Sequence, residues 1–157
     1  MQRFSELVPF ANWHPSLVPA VAAGVYAIWE GDKLIYCGMS GRSFDPAVAA
    51  TKARHGLVTR LNSHASGRLS GDQFCVYVAN RLVIPKLNNS QLASFETGQL
   101  TLDQLTKQYI RERLSFQFTT TSTSEEAYAL EAACRNGSVF GSPPFLNPLQ
   151  YATKSAA

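Results

Sequence analysis

With 157 residues, 45% of them hydrophobic and 16% charged, the chain suits a single domain with a buried core and falls outside the disordered class. Its formal charge of +3 is too small to indicate a partner by itself. It contains no apolar, uncharged run of the roughly 18 residues that suggest a membrane span.

The N-terminal stretch "MQRFSELVPFANWHPSLVPA" has only a short apolar segment and an early acid, unlike a secretory leader. Residues 1–23 hold three prolines and "NWHP", and read as an irregular lead-in packed by Trp13. Two short strands follow, Gly24–Trp29 and Leu34–Met39, joined at "EGDK" as a hairpin. "SGRSFDPAVAATKARHG" is a long connection rich in turn residues. "HGLVTRLNSHASG" reads as a helix with Leu57 and Leu61 on one side and Gly67 beyond its end. "QFCVYVANRLVIP" is strand-like and stops at Pro85. "TLDQLTKQYIRERL" is a helix, opened by the capping-box pair Thr101 and Gln104, with Leu102, Leu105 and Tyr109 as its buried stripe. "SFQFTTT" alternates at period two, as a half-buried strand does. "TSEEAYALEAACRNG" is the last helix, with Thr123 and Glu126 at capping-box spacing and Gly137 to close it. "GSPPFLNPL" is a proline-braced loop leading to the tail, residues 148–157. The pattern predicts one α+β domain whose antiparallel sheet starts at the hairpin.

Charge is concentrated. Arg42, Lys52, Arg54, Arg60 and Arg68 against Asp45 give the segment from Ser40 to Ser70 a charge of +4, which leaves −1 for the rest. A basic stretch of this kind fits a polyanion, whose phosphates release counterions on contact, and equally fits a solvated surface. Cys37, Cys75 and Cys134 lie far apart in apolar contexts with no CxxC pair. They read as reduced core thiols of a cytoplasmic protein.

Several polar residues run against the pattern. Tyr26 and Tyr36 sit on the two hairpin strands. An odd-length loop puts them on one face, where two hydroxyls can meet one ligand; a two-residue Gly31–Asp32 turn puts them on opposite faces. Arg60 and His64 are four apart and share a helix face, as a fixed cation beside a titratable imidazole or as a solvated pair. Glu131 falls on the buried edge of the last helix between Ala127 and Tyr128. A carboxylate there is costly unless an arginine or a bound cation compensates it. Asn147 precedes a proline, which is ordinary turn chemistry.

In this order, "GVY", "YCG", "LVTRLNSH", "SEEAYALE" and "PPFLNP" resemble the GIY-YIG nuclease family, over Gly24 to Asn147. The resemblance implies a three-stranded antiparallel sheet flanked by helices, with "SFQFTTT" as its third strand. It implies a metal-dependent endonuclease that hydrolyses phosphodiester bonds of nucleic acid, with DNA favoured, using one Mg²⁺ or Mn²⁺. Tyr26 and Tyr36 match the tyrosines of the two tripeptides, Gly38 the second glycine, Arg60 the helix arginine, His64 a position held by tyrosine or histidine, Glu131 the metal ligand and Asn147 the asparagine of the far wall. Arg42 and Arg68 join Gly38 and Asn147 as substrate contacts. The sequence departs from the family in four ways. Valine and cysteine replace isoleucines, and the spacing between the tripeptides is short by a residue. Met39 stands where many members have lysine, leaving Arg42 as the possible replacement. Residues 69–113 form an insert expected to add a strand and a helix.

The implied chemistry is a Lewis acid held by Glu131, Arg60 on the non-bridging oxygens, Tyr36 positioning water or phosphate, and Tyr26 or His64 as general base. Two other readings share the sequence: a nucleic-acid-binding module without turnover, which Met39 leaves open, and an interaction domain with no nucleic-acid role.

Overall fold

A computed structural model of the chain describes residues 3–41 and 45–149. The hairpin organises it. Strand β3 (Gly24–Glu30) pairs antiparallel with β4 (Lys33–Ser40) on one side and with β6 (Leu114–Thr120) on the other. A two-residue strand, β1 (Val8–Pro9), pairs with the outer edge of β6, so the antiparallel sheet has four strands in the order β1-β6-β3-β4. The fold is α+β. Of the strands expected from sequence, the two of the hairpin and that of "SFQFTTT" are in this sheet; the lead-in adds β1.

Alternation along β3 sends side chains to both faces. Val25 and Ala27 join Leu34, Cys37, Ala127 and Cys134 in a smaller core under helix α6 (Ser124–Arg135). Tyr26 and Ile28 join the larger core, with Phe10, Leu57, Leu61, Phe74, Ile110 and Phe116. Helices α2 (Leu57–Ser66), α3 (Gln73–Val78) and α5 (Leu102–Arg113) supply much of it. Trp13 packs in the lead-in against Phe116, with ring centres 5.6 Å apart, and donates to Asn62 Oδ1. At Gly24 the carbonyl of Thr119 occupies the place of a Cβ, so no larger residue fits this point of the sheet.

The hairpin settles the question of faces. Glu30 pairs with Lys33, so the turn is the two-residue Gly31–Asp32, with Gly31 at φ 56°. That turn alone would separate the two tyrosines. A β-bulge between Ile28 and Trp29 prevents it: Ile28 faces Tyr36 while Trp29 faces Leu34, leaving Ile35 as an extra residue. Tyr26 faces Gly38, two residues from Tyr36, so both phenols lie on the large-core face, diagonally opposed.

The insert corrects the sequence reading. Residues 73–85, expected as a strand, are helical. α3 runs into a π-helical turn, Ala79–Val83, and a 3-10 turn, Ile84–Lys86. Its β-branched residues suggested a strand, but Phe74, Cys75, Val78, Ala79, Leu82 and Val83 are buried at a spacing of about four, and Asp72 caps the N-terminus by accepting from the Cys75 amide. A further helix, α4 (Asn89–Glu96), carries an Asn88/Gln91 capping box that the sequence reading passed over. α5 has the expected Thr101/Gln104 box, but its buried residues are Thr106, Tyr109 and Ile110, with Leu102 and Leu105 half-buried. The long connection forms a short helix, α1 (Pro46–Ala49), and a two-residue parallel bridge between β2 (Val21–Ala22) and β5 (His55–Gly56). All three cysteines are buried and free, and no helix among the described residues is long and apolar enough to cross a membrane.

The free edge of β4 is covered by the C-terminal loop. Phe145 and Leu146 donate to the carbonyls of Leu34 and Ile35, and the Asn147 amide accepts from the Cys37 N–H and donates to the Cys37 carbonyl. Asn147→Ala removes both side-chain bonds and leaves the N–H and carbonyl of buried Cys37 without these partners. A stability loss of about 1–3 kcal/mol in denaturant unfolding is expected.

Candidate active site

A cleft of about 510 Å³ opens between the hairpin, α2, the start of α3 and α6. Tyr26, Tyr36, Gly38, Arg60, His64 and Glu131 all line it. Six residues separated by up to 105 positions in sequence thus share one wall-to-wall space.

Tyr26 is almost fully buried, and its hydroxyl lies 2.8 Å from His64 Nε2. Gly38 makes this possible. The Tyr26 hydroxyl fills the volume that a Cβ at position 38 would take, so the glycine is needed for the tyrosine across the strand pair. The sequence reading gave Gly38 a substrate contact; in the structure its missing side chain seats Tyr26.

His64 is buried on α2. Its Nδ1 lies 2.7 Å from Asp72 Oδ2, to which the Ser63 hydroxyl also donates at 2.6 Å. Asp72 Oδ1 accepts from the Cys75 amide. Burial alone would raise the Asp72 carboxyl, but the hydrogen bond and charge of His64, with the Ser63 and Cys75 bonds, outweigh it and hold the group at about 2. Burial lowers His64 from its ordinary value, against the opposing pull of Asp72. At neutral pH the pair is therefore a neutral imidazole beside a carboxylate. An ionised Asp72 only accepts, so Nδ1 carries the proton and Nε2 is left to accept from the Tyr26 hydroxyl.

Burial, with Tyr36 nearby, pushes the Tyr26 phenol well above its ordinary value, and the neighbouring Arg60 cation only partly offsets this. Tyr26 rests as a neutral phenol. Tyr36 is raised to about 12 by burial and by the negative charge of Glu131. Its ring packs against those of Tyr26 at 6.3 Å, Phe74 at 5.0 Å and Tyr77 at 6.5 Å, which fixes its position at the cleft.

Arg60 is exposed at the cleft mouth and forms no salt bridge to a carboxylate among the described residues. Glu131 is 9% exposed. Arg135 Nη1 approaches its Oε1 only to 4.0 Å, while Arg135 Nε donates to the Asn147 carbonyl. The buried edge expected for Glu131 is thus where it lies. Among the described residues no group of three or more His, Cys, Asp or Glu side chains is arranged to hold a metal ion. The described residues therefore offer no cage of such ligands. A single carboxylate on a cleft wall suits a hard cation that keeps most of its waters, as Mg²⁺ does.

Two expected substrate residues lie elsewhere. Asn147 is not on the cleft wall; its amide is used up by the Cys37 backbone. Arg68 is exposed beyond α2, where Gly67 at φ 71° ends the helix and turns the chain away. Arg42 lies outside the described residues. The sequence reading missed Asp72, Ser63 and Thr59 on the cleft wall. Asp72 was legible as an N-cap, had residues 73–85 been read as a helix.

No protein-family model, curated protein or solved structure matches the chain.

Proposed function

We propose that the protein is a metal-dependent nuclease of GIY-YIG type, hydrolysing phosphodiester bonds with DNA as the favoured substrate. The observation that carries this reading is one cleft lined by two phenols, an arginine with no carboxylate partner among the described residues, a histidine bound to Asp72, and a second carboxylate, Glu131. A phosphodiester is an anion, and its hydrolysis needs charge neutralisation, a nucleophile and help for the leaving oxygen.

Glu131 would hold one Mg²⁺ or Mn²⁺, which supplies Lewis-acid stabilisation of charge on phosphate and leaving oxygens when bound. Arg60 contributes the fixed positive charge: its guanidinium binds non-bridging oxygens as charge grows in the transition state. Tyr36, a neutral donor, orients phosphate or water. Tyr26 faces the nucleophilic water and can take its proton only as it gives up its own, and His64 Nε2 stands ready to accept that proton. Met39 lines the cleft where a lysine would add a second cation, so Arg60 carries the fixed charge of the described wall.

Met39 also favours a second reading, a nucleic-acid-binding module on the same fold without turnover. The test is incubation of supercoiled plasmid, single-stranded DNA and RNA with Mg²⁺ or Mn²⁺ across pH 6 to 9. Metal-dependent products are expected. Salt-sensitive binding with no product from any substrate would establish the binding module instead.

A further inference from the structure

We infer that Asp72, contributed by the inserted helical segment, is a positioning residue for catalysis: it fixes the tautomer of His64 so that His64 can draw the proton from Tyr26. The inference rests on the hydrolase reading and adds to it a residue and a role that the resemblance does not supply.

Three facts carry it. The atoms form an unbroken chain, Tyr26 hydroxyl to His64 Nε2 at 2.8 Å and His64 Nδ1 to Asp72 Oδ2 at 2.7 Å. All three side chains are buried, so water does not compete for these bonds. The carboxylate is held from two other directions, by the Ser63 hydroxyl and by the Cys75 amide at the start of α3. It cannot swing away without uncapping that helix.

A water gives one proton to the Tyr26 oxygen while Tyr26 passes its own to His64 Nε2. The hydroxide oxygen bonds to phosphorus, the bond from phosphorus to the leaving oxygen breaks, and that oxygen takes a proton from solvent. The imidazolium left on His64 keeps its Nδ1 proton and donates it in the hydrogen bond to Asp72, whose negative charge stabilises the cation. Return of the proton through Tyr26 to the cleft resets the site. Without Asp72, the imidazole can place its proton on Nε2 and donate to the Tyr26 oxygen, which blocks the transfer.

The charged and titratable groups around His64 are few. Arg60 on its own helix opposes protonation, Asp72 favours it, and Tyr26 and Tyr36 face it from the sheet as neutral phenols. Cys75 donates its thiol to the His64 carbonyl.

Asp72→Asn keeps the size of the side chain and an oxygen for the Cys75 amide. The expected result is a cleavage rate at least about 10-fold lower on the plateau, less than the roughly 10²-fold or more carried by a group that itself transfers the proton, with nucleic-acid affinity unchanged. The acid limb of the rate profile moves to lower pH, because the charge that favours protonation of His64 is gone. A variant that is merely less well folded lowers the plateau without moving the limb. An independent readout is the ¹⁵N spectrum of His64 in the wild-type protein at pH 7.5, expected to show the proton on Nδ1 and an unprotonated Nε2. Wild-type cleavage with an Asp72→Asn plateau and limb both unchanged overturns the inference and leaves the hydrolase reading standing. So does a wild-type His64 protonated on Nε2. Absence of cleavage by the wild type overturns the hydrolase reading and, with it, the catalytic role of Asp72.

Discussion

Replacing Glu131 with alanine is expected to lower the rate of metal-dependent cleavage by at least about 10²–10³-fold, the scale of losing one contact aimed at transition-state charge. Glu131 is the only carboxylate besides Asp72 among the described residues lining the cleft. Asp72 is committed to His64, Ser63 and the Cys75 amide, so it cannot substitute. Nucleic-acid affinity should hold or rise, because a negative charge leaves a surface that must receive phosphate. Folding should survive: Arg135, left without the carboxylate, is part-exposed and still donates to the Asn147 carbonyl, and the substitution removes a desolvated charge. Glu131→Gln, which keeps the shape and loses the charge, should be as inactive as the alanine variant. Parallel measurements of cleavage rate, affinity and melting temperature check the three statements together. A Glu131→Ala protein that cleaves at the wild-type rate would remove the metal ligand from the account.

The second large effect is expected from a single methyl group. Gly38→Ala places a Cβ inside the space of the Tyr26 hydroxyl. The strand pair holds both backbones in register, Tyr26 against Gly38, so the ring must turn or the strands must part. Overpacking of this kind costs about 1–3 kcal/mol. Displacing the hydroxyl by about 1 Å from its place at His64 costs on the order of 10²-fold in rate. The double variant Gly38→Ala with Tyr26→Phe separates the two effects. Phenylalanine removes the oxygen but keeps the ring carbon Cζ, which also lies 2.5 Å from the added Cβ, so the double variant should recover only part of the lost stability relative to Gly38→Ala alone while remaining inactive. Equal stability and activity of Gly38→Ala and wild type would show that the Tyr26 hydroxyl has no fixed place in the mechanism.

Some of this was legible in the residues. The hairpin, the capped helices α2, α5 and α6, and the strand before α6 follow from period, caps and turns, all of which are local. The misplaced insert shows where local signals conflict. Val76, Val78, Val83 and Ile84 favour a strand by type, while the burial of Phe74, Cys75, Val78, Ala79, Leu82 and Val83 follows a helical spacing, and packing decided for the helix. The same mistake hid Asp72, because an aspartate before a strand is unremarkable, whereas one at an N-cap has a defined partner, here the Cys75 amide.

The faces of Tyr26 and Tyr36 were open for a different reason. Whether the hairpin carries a bulge depends on how Ile35 is accommodated beside the larger core, and no dipeptide in the turn encodes that. Asn147 reads as turn chemistry in "PPFLNP", and only the resemblance places it on the site's far wall. Its amide instead meets the backbone of Cys37, a contact across 110 residues that only the assembled sheet edge defines. Asn147 still acts near the site, because the strand it holds carries Tyr36 and Gly38.

The central claim is that Arg60 and Glu131 act on one phosphate in one cleft. It is tested most directly by single-turnover cleavage with enzyme in saturating excess, comparing the wild type with Arg60→Ala and Glu131→Ala in Mg²⁺. The account predicts product from the wild type, and rates lower by about 10²–10³-fold in each variant even when all substrate is bound. Cleavage undiminished in both variants, or a deficit that vanishes at saturation, would contradict it.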